Sequence, residues 1–250
     1  MKRARLYHRG REVWAAVDDE HDVLRLPDGT VVPLAEAQWL PPITNGAAAY
    51  ALGLNFADHN KELGFAPKLE TPLIFMKGAS TFVGHDGDTP RPKDGNQMHP
   101  ECELVAIIGK PARRVAPAQG LDHVSGYTIA IDYAIREYLE NFYRPNARVK
   151  NRDATTPLGP YIIDATDIPD PQALTLRTTV NGRVVQDGST ADMIMGVADL
   201  VSYLSHVTTL MPGDMILTGT PQGVHFCDPG DTVICEIEGV GRLINHLVAP

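Results

Sequence analysis

Cysteine is scarce in this chain. Cys102, Cys227 and Cys235 are the only three in 250 residues. An odd count without paired spacing excludes a disulfide framework and a CxxC zinc motif, and reads as free thiols in a reducing compartment. Basic excess is missing too. With 22 Lys and Arg against 31 Asp and Glu the net charge is −9, and no basic stripe marks a nucleic-acid surface. An anionic ligand would therefore need a local basic pocket or a cation to overcome the acidic background. No run of about 18 apolar residues occurs, so no membrane helix is expected. The opening MKRARLYHRGREVW is basic but lacks the apolar stretch of a secretion signal. The expected home is cytoplasmic.

What is present is ordinary for a soluble globular chain: 43% hydrophobic and 21% charged residues. Gly (22) and Pro (20) recur along the whole length, which favours short strands and tight turns over a helical bundle. Residues 1–43 read as a small N-terminal β unit, with hairpins around Arg9-Gly10 and Asp28-Gly29 and with Pro41-Pro42 as punctuation. Residues 44–250 read as the main domain. YALGLNF, LIFMKG, CELVAIIGK and GYTIAI are strand-like, and Asn181-Gly182 turns a further hairpin. ADHNKEL opens a short helix, DYAIREYLENFY runs from a strand into a helix, and DMILTGT, DTVICEIEGVG and RLINHLV close the chain as strands. In MGVADLVSYLSHVTTL, Val197, Leu200, Val201 and Leu204 form one helical stripe. No regular βαβ alternation is visible, so the fold class is a mixed, β-rich α+β.

The most informative segment is HPECELVAII. On a strand, residues i and i+2 share a face, which puts Glu101 and Glu103 with Val105 and Ile107, opposite Cys102, Leu104, Ala106 and Ile108. Apolar residues follow on both faces, so the strand is expected to be covered on both sides. Two neighbouring carboxylates there must raise a pKa or share a cation, and a hard divalent ion with oxygen ligands is the natural solution. A strand end emerging into solvent is the alternative. Asp132, between YTIAI and YAIREYLENFY, could cap a helix, bind the same ion, or do both. His59 and Glu62 are i and i+3 on the short helix, where a carboxylate can orient an imidazole for proton transfer; an incidental pair on a solvated face is the bland alternative, and Asp58 could cap that helix. His99 and His123 have no partner in sequence and are expected to be structural.

The ordered motifs G-L-N-F-x-D-H-x-x-E, F-x-K, E-x-E-L, D-Y-x-x-R, K-x-R-D-x-x-x-P-L-G-P and P-G-D-x-I-x-T-G-T-P span roughly residues 48–247. Each is weak alone; together, in this order, they resemble the fumarylacetoacetate hydrolase superfamily. The resemblance implies a β-roll, usually dimeric or a higher homo-oligomer. It implies that Glu101, Glu103 and Asp132 hold Mg²⁺ or Mn²⁺, and that His59 and Glu62 are an acid/base pair on a mobile lid. Lys150 would line the metal site, while Arg136, one helical turn after Asp132, together with Thr220 and Lys77, would bind a small anionic 2-oxo acid. DYAIREYLENFYRPNARVKNRD and GDMILTGTPQGV resemble the branch that decarboxylates 5-carboxymethyl-2-oxo-hex-3-ene-1,7-dioate and isomerises 2-hydroxyhepta-2,4-diene-1,7-dioate. Many relatives in that branch carry two fused copies of this unit, whereas this chain has one. Phe56 stands where many relatives have Tyr, so no hydroxyl acts there. A C–C hydrolase of fumarylpyruvate- or acylpyruvate-type diketo acids, an oxaloacetate-type decarboxylase, and a non-catalytic binding protein are the other readings.

Overall fold

Turn chemistry sets the first strands. In the computed structural model, which describes residues 1–43, 46–65, 71–139 and 147–250, Arg9 and Gly10 both take positive φ, at 48° and 82°. That is the two-residue hairpin turn whose twist matches its strands. It joins β1 (Lys2–His8) to β2 (Arg11–Asp18), paired from Arg3↔Ala16 to His8↔Arg11. Gly29, at φ 84°, turns β3 (Val23–Arg25) into β4 (Val31–Pro33), and β5 (Trp39–Leu40) returns to pair with β1. Ala4, Leu6, Ala15, Leu24, Leu26 and Val32 form a small core under these strands.

The chain then runs through β6 (Ala49–Gly53), α1 (Ala57–Glu62), β7 (Leu73–Met76), β8 (Phe82–Val83), β9 (Gly87–Pro90) and β10 (Met98–His99). Next come β11 (Cys102–Ile108), β12 (Val124–Ile131), β13 (Ala134–Ile135), α2 (Ala147–Lys150) and β14 (Thr156–Asp164). The last stretch holds β15 (Thr175–Val180), β16 (Arg183–Ser189), α3 (Val197–Val207), β17 (Met215–Leu217), β18 (Thr232–Ile237) and β19 (Gly241–Val248). A 12-stranded sheet has the order β4-β3-β2-β1-β14-β12-β11-β17-β6-β7, with β5 on β1 and β8 on β14. A five-stranded sheet runs β16-β15-β18-β19-β9, and β10 pairs with β13. The pairing is mostly antiparallel, and β1 joins β14 directly, at Lys2↔Ile163 and Arg3↔Ile162.

β11 is the centre of this arrangement. Every residue from Cys102 to Ile108 is buried. Its two faces enter different clusters, as the alternation requires: Cys102, Leu104, Ala106 and Ile108 in the larger, Val105 and Ile107 in the second. The helix over the larger cluster is α3, with Val197, Leu200, Val201 and Leu204 all buried, as the stripe predicts.

Two expectations are corrected. After Asp132 the chain does not enter a helix. It forms β13, paired with β10 through His99↔Ala134, and then a 3₁₀ turn at Arg136–Tyr138; residues 140–143 of the expected helix lie outside the described residues. The β-branched Ile135 and the aromatics Tyr133 and Tyr138 weaken the helix tendency of the segment, and the β10 partner takes up its backbone groups. Asp132 is therefore not a helix cap. Nor does Asp58 cap α1: it lies in the first turn, 3.0 Å from Lys61 Nζ.

Leu104, fully buried on β11, is a direct probe of this core. Leu104→Ala is expected to cost about 2–5 kcal/mol, whereas Val184→Ala, at an exposed position, should stay within about 0.5 kcal/mol. Urea unfolding followed by circular dichroism measures both.

Candidate active site

The antiparallel register of β11 and β12 builds the acidic floor. Cys102 pairs with Ile131, so the start of one strand lies beside the end of the other, and Asp132 N–H donates to Glu101 O at 2.8 Å. Asp132, distant in sequence, thus converges with Glu101 and Glu103. Glu101, Glu103 and Asp132 each offer an oxygen, and these oxygens lie within 4.8 Å of one another. All three residues are buried, Glu103 and Asp132 completely.

Buried carboxylates must be paired or share a cation. Lys77 Nζ donates to Asp132 Oδ1 at 2.7 Å and also to Lys150 O. Lys150 Nζ donates to Glu101 Oε2 and lies 3.0 Å from Asp132 Oδ2. Arg136 Nη2 is 3.4 Å from Glu101 Oε1. Glu103 Oε2 accepts from Gly219 N–H at 2.7 Å. Gly219 is required there: its φ is +90°, and a Cβ would sit 3.0 Å from Asn55 Cβ. Among the described residues, Glu103 Oε1 is buried and accepts no hydrogen bond, and Asp132 Oδ2 has only the ion pair with Lys150.

The charges follow from this packing. Burial, then the Asp132 and Glu101 carboxylates, push the Glu103 carboxyl well above its ordinary value. Burial opposes ionisation of Glu101 as well, but Lys150 and the other cationic neighbours outweigh it and lower its pKa. For Lys150, burial is outweighed by Asp132, Glu101 and Glu103, which hold its ammonium above the usual range. Lys77 is lowered, chiefly by burial. A divalent cation would relieve the Glu103 repulsion and use the Glu103 oxygen left without a donor. An all-oxygen, carboxylate-rich donor set suits a hard ion, so the triad could bind a metal.

His59 and Glu62 form the wall. Glu62 Oε2 lies 3.1 Å from His59 Nδ1, and its carboxylate also accepts from Gly223 N–H (3.0 Å) and Val224 N–H (3.0 Å). Burial raises its pKa, but these donors and His59 prevail and lower it. An ionised Glu62 fixes Nδ1 of His59 as the donor, leaving Nε2 as an acceptor. Burial lowers the His59 pKa against the opposing pull of Glu101 and Glu62, so the neutral imidazole persists at neutral pH. α1 is held in place from below by Asn55, whose side chain donates to Thr218 O (2.8 Å) and Met195 O (3.0 Å) and accepts from Met195 N–H (2.9 Å).

A cavity enclosing about 590 Å³, its mouth included, joins these groups; His59, Glu101, Arg136, Lys150 and Thr220 line it, with Leu52, Leu63, Leu73 and Phe75 as apolar walls. Lys77, Glu103 and Asp132 lie buried next to this lining. All nine residues singled out in the sequence therefore gather at one place. Arg136 arrives differently from expectation: the β10–β13 pairing carries it, with Arg136 N–H donating to Gln97 O, not a helical turn. Sequence reasoning missed His99. Its Nε2 accepts from Arg136 Nε at 2.8 Å, and burial, with Arg136 beside it, brings its pKa down to about 3. Its one signal was its place two residues before Glu101. His123, as expected, stands apart from the site, near Lys110 O.

The family model for the fumarylacetoacetate (FAA) hydrolase C-terminal region matches residues 48–248. The chain belongs to the fumarylacetoacetate hydrolase family. Among members of this family, the 4-hydroxyphenylacetate degradation bifunctional isomerase/decarboxylase of Salmonella dublin is 53% identical over 207 residues, 83% of this chain and 48% of the relative. The chain thus spans about half the length of that relative. The solved structure of 5-carboxymethyl-2-hydroxymuconate delta-isomerase from Mycobacterium smegmatis superposes with a TM-score of 0.87 at 34% identity, covering 100% of this chain and 99% of that one. Fumarylpyruvate hydrolase from Pseudomonas aeruginosa, in complex with Mn²⁺ and pyruvate, gives 0.78 at 32% identity, over 84% of this chain and 91% of that one. These neighbours bear out the β-rich family fold expected from the motifs.

Because the Glu62 hydrogen bond and charge both raise the His59 pKa, Glu62→Gln should lower it further. Titration of the His59 ring-proton NMR shifts checks the sign: an acid shift of the midpoint is expected.

Proposed function

We propose that this chain catalyses the metal-dependent decarboxylation of 5-carboxymethyl-2-oxo-hex-3-ene-1,7-dioate, the isomerisation of 2-hydroxyhepta-2,4-diene-1,7-dioate, or both, in the breakdown of 4-hydroxyphenylacetate-type aromatics. The observation that carries this reading is one cavity flanked by an oxygen-donor triad and a carboxylate-poised neutral imidazole. The 53% identity to an isomerase/decarboxylase of that degradation supports it.

Glu101, Glu103 and Asp132 would hold Mg²⁺ or Mn²⁺, which when bound supplies Lewis-acid stabilisation of developing enolate charge. Breaking the bond to the leaving carboxylate releases CO₂ and leaves its electron pair in a dienolate conjugated with the 2-oxo group. Lys150, charged and lining the cavity, would add a fixed positive charge beside that oxygen. His59 Nε2 would take a proton from one carbon and return it to another, with Glu62 stabilising the imidazolium formed in between. Arg136 and Thr220 would grip substrate carboxylate oxygens; Lys77, expected from the resemblance to bind substrate, lies outside the cavity lining against Asp132 and would instead hold that carboxylate in place. Decarboxylation and isomerisation then share one dienolate, so one site serves both.

The same reading divides the chain into residues 1–43, a small β unit, and residues 44–250, which carry every group named above. No helix among the described residues is long and apolar enough to cross a membrane; Cys102, Cys227 and Cys235 are free thiols, which suits a reducing cytoplasm. A homodimer or a higher homo-oligomer is the expected assembly. A C–C hydrolase of diketo acids is the second reading, favoured by the likeness to fumarylpyruvate hydrolase.

Incubation with 5-carboxymethyl-2-oxo-hex-3-ene-1,7-dioate and Mg²⁺ should release CO₂, and EDTA should stop it. Two acid products without CO₂ would transfer the assignment to the hydrolase. Glu101→Gln should abolish metal-dependent turnover. His59→Asn should slow proton transfer by about 10²–10⁴-fold and leave Mn²⁺ affinity, read by calorimetry, within about threefold; an equal loss of both would make His59 a structural residue.

A further inference from the structure

Gln186 lies on β16, outside the cavity lining, and is 2% exposed. All four of its hydrogen-bonding positions are used. Oε1 accepts from Cys102 N–H at 3.1 Å and from the Thr178 hydroxyl at 2.8 Å. Nε2 donates to Pro221 O at 2.9 Å and to Thr220 Oγ1 at 3.0 Å. Two of these partners admit one role each: a backbone N–H only donates and a carbonyl oxygen only accepts. They fix which end of the amide is oxygen, and the polarity of the other two bonds follows. Thr178 must give its hydrogen to Gln186, so Cys235 Sγ, 3.4 Å from Thr178 Oγ1, is the donor to Thr178. Gln186 must give its second amide hydrogen to Thr220 Oγ1. The Thr220 hydrogen is thereby left to be donated, and Thr220 lines the cavity.

We infer that Gln186 is a positioning residue that fills one acceptor position of the Thr220 hydroxyl and turns its hydrogen toward the ligand, so that this point of the cavity favours an anionic carboxylate or enolate oxygen. The inference rests on the reading that a 2-oxo acid fills the cavity. The bonds run in one direction outward to Thr220, from Thr178 to Gln186 and from Gln186 to Thr220, and aligned hydrogen bonds polarise one another. The last donor is strengthened and its rotamer restricted without Gln186 touching the ligand.

The test is calorimetric binding of oxalate, a compact mimic of a 2-oxo acid enolate, to the Mn²⁺-loaded protein. Gln186→Met keeps the shape of the side chain and removes the donor. It should weaken oxalate about tenfold to hundredfold, the loss of one hydrogen bond to a charged group. In a Thr220→Val background the same substitution should change affinity by less than about twofold, since the hydroxyl it orients is gone. Equal weakening in both backgrounds would show that Gln186 acts through general packing and would overturn the inference. If thermal melts show that Gln186→Met does not fold, Gln186→Glu replaces it: a carboxyl of the same shape lacks the second donor, and undiminished oxalate affinity would be equally fatal. A wild-type protein that binds no oxalate would end the 2-oxo-acid reading separately. The polarity is then judged by NMR, where Thr220→Val should shift one of the two Gln186 side-chain amide protons and leave the one bonded to Pro221 in place; movement of neither refutes it.

Discussion

Three buried carboxylates at the junction of β11 and β12 are the constraint on which the rest of this molecule depends. Each costs several kcal/mol to desolvate unless paired, and two of them are fully buried. Lys77 and Lys150 from elsewhere in the chain, Arg136 behind β13, and the Gly219 backbone N–H each answer part of that charge. The strands and loops that deliver these groups have to arrive where they do. Even so, Glu103 keeps a carboxyl pushed far above its usual value and an oxygen with no donor. That residual imbalance is what a divalent cation would resolve, and it lies against the cavity.

Rigid elements carry the floor, and a small helix carries the proton-transfer pair. β11 is covered on both faces and cannot shift without breaking both clusters. α1 has only six residues and reaches the site through Asn55 and through the Glu62 contacts to Gly223 and Val224. The same Glu62 carboxylate therefore anchors the helix to the 223–224 loop and sets the tautomer of His59. Holding the helix in place and poising the base are one event.

Much of this was legible in the sequence. Positive-φ turn dipeptides marked two hairpins at Arg9-Gly10 and Asn181-Gly182, because few residues other than Gly, Asn and Asp tolerate that backbone. The alternation in CELVAII marked a strand buried on both faces, and the stripe from Val197 to Leu204 marked α3. The helix expected after Asp132 failed for an identifiable reason. Its isoleucine and aromatic residues also suit a strand, and the deciding partner, β10, lies more than 30 residues earlier.

The sequence by itself determined the inventory: which residues can carry chemistry, that two acids share one face of a strand, and that a carboxylate stands one turn from a histidine. Those are local facts, set by the 2.0- and 3.6-residue periods of the backbone. The tertiary structure decided the pairings. Only the β11–β12 register brings Asp132 to Glu101, and only the β10–β13 ladder puts His99 against Arg136. Gln186 was invisible as a functional residue because its significance lies in the direction of four hydrogen bonds to Cys102, Thr178, Thr220 and Pro221. Direction and distance between groups far apart in the chain are properties of packing, and no periodicity encodes them.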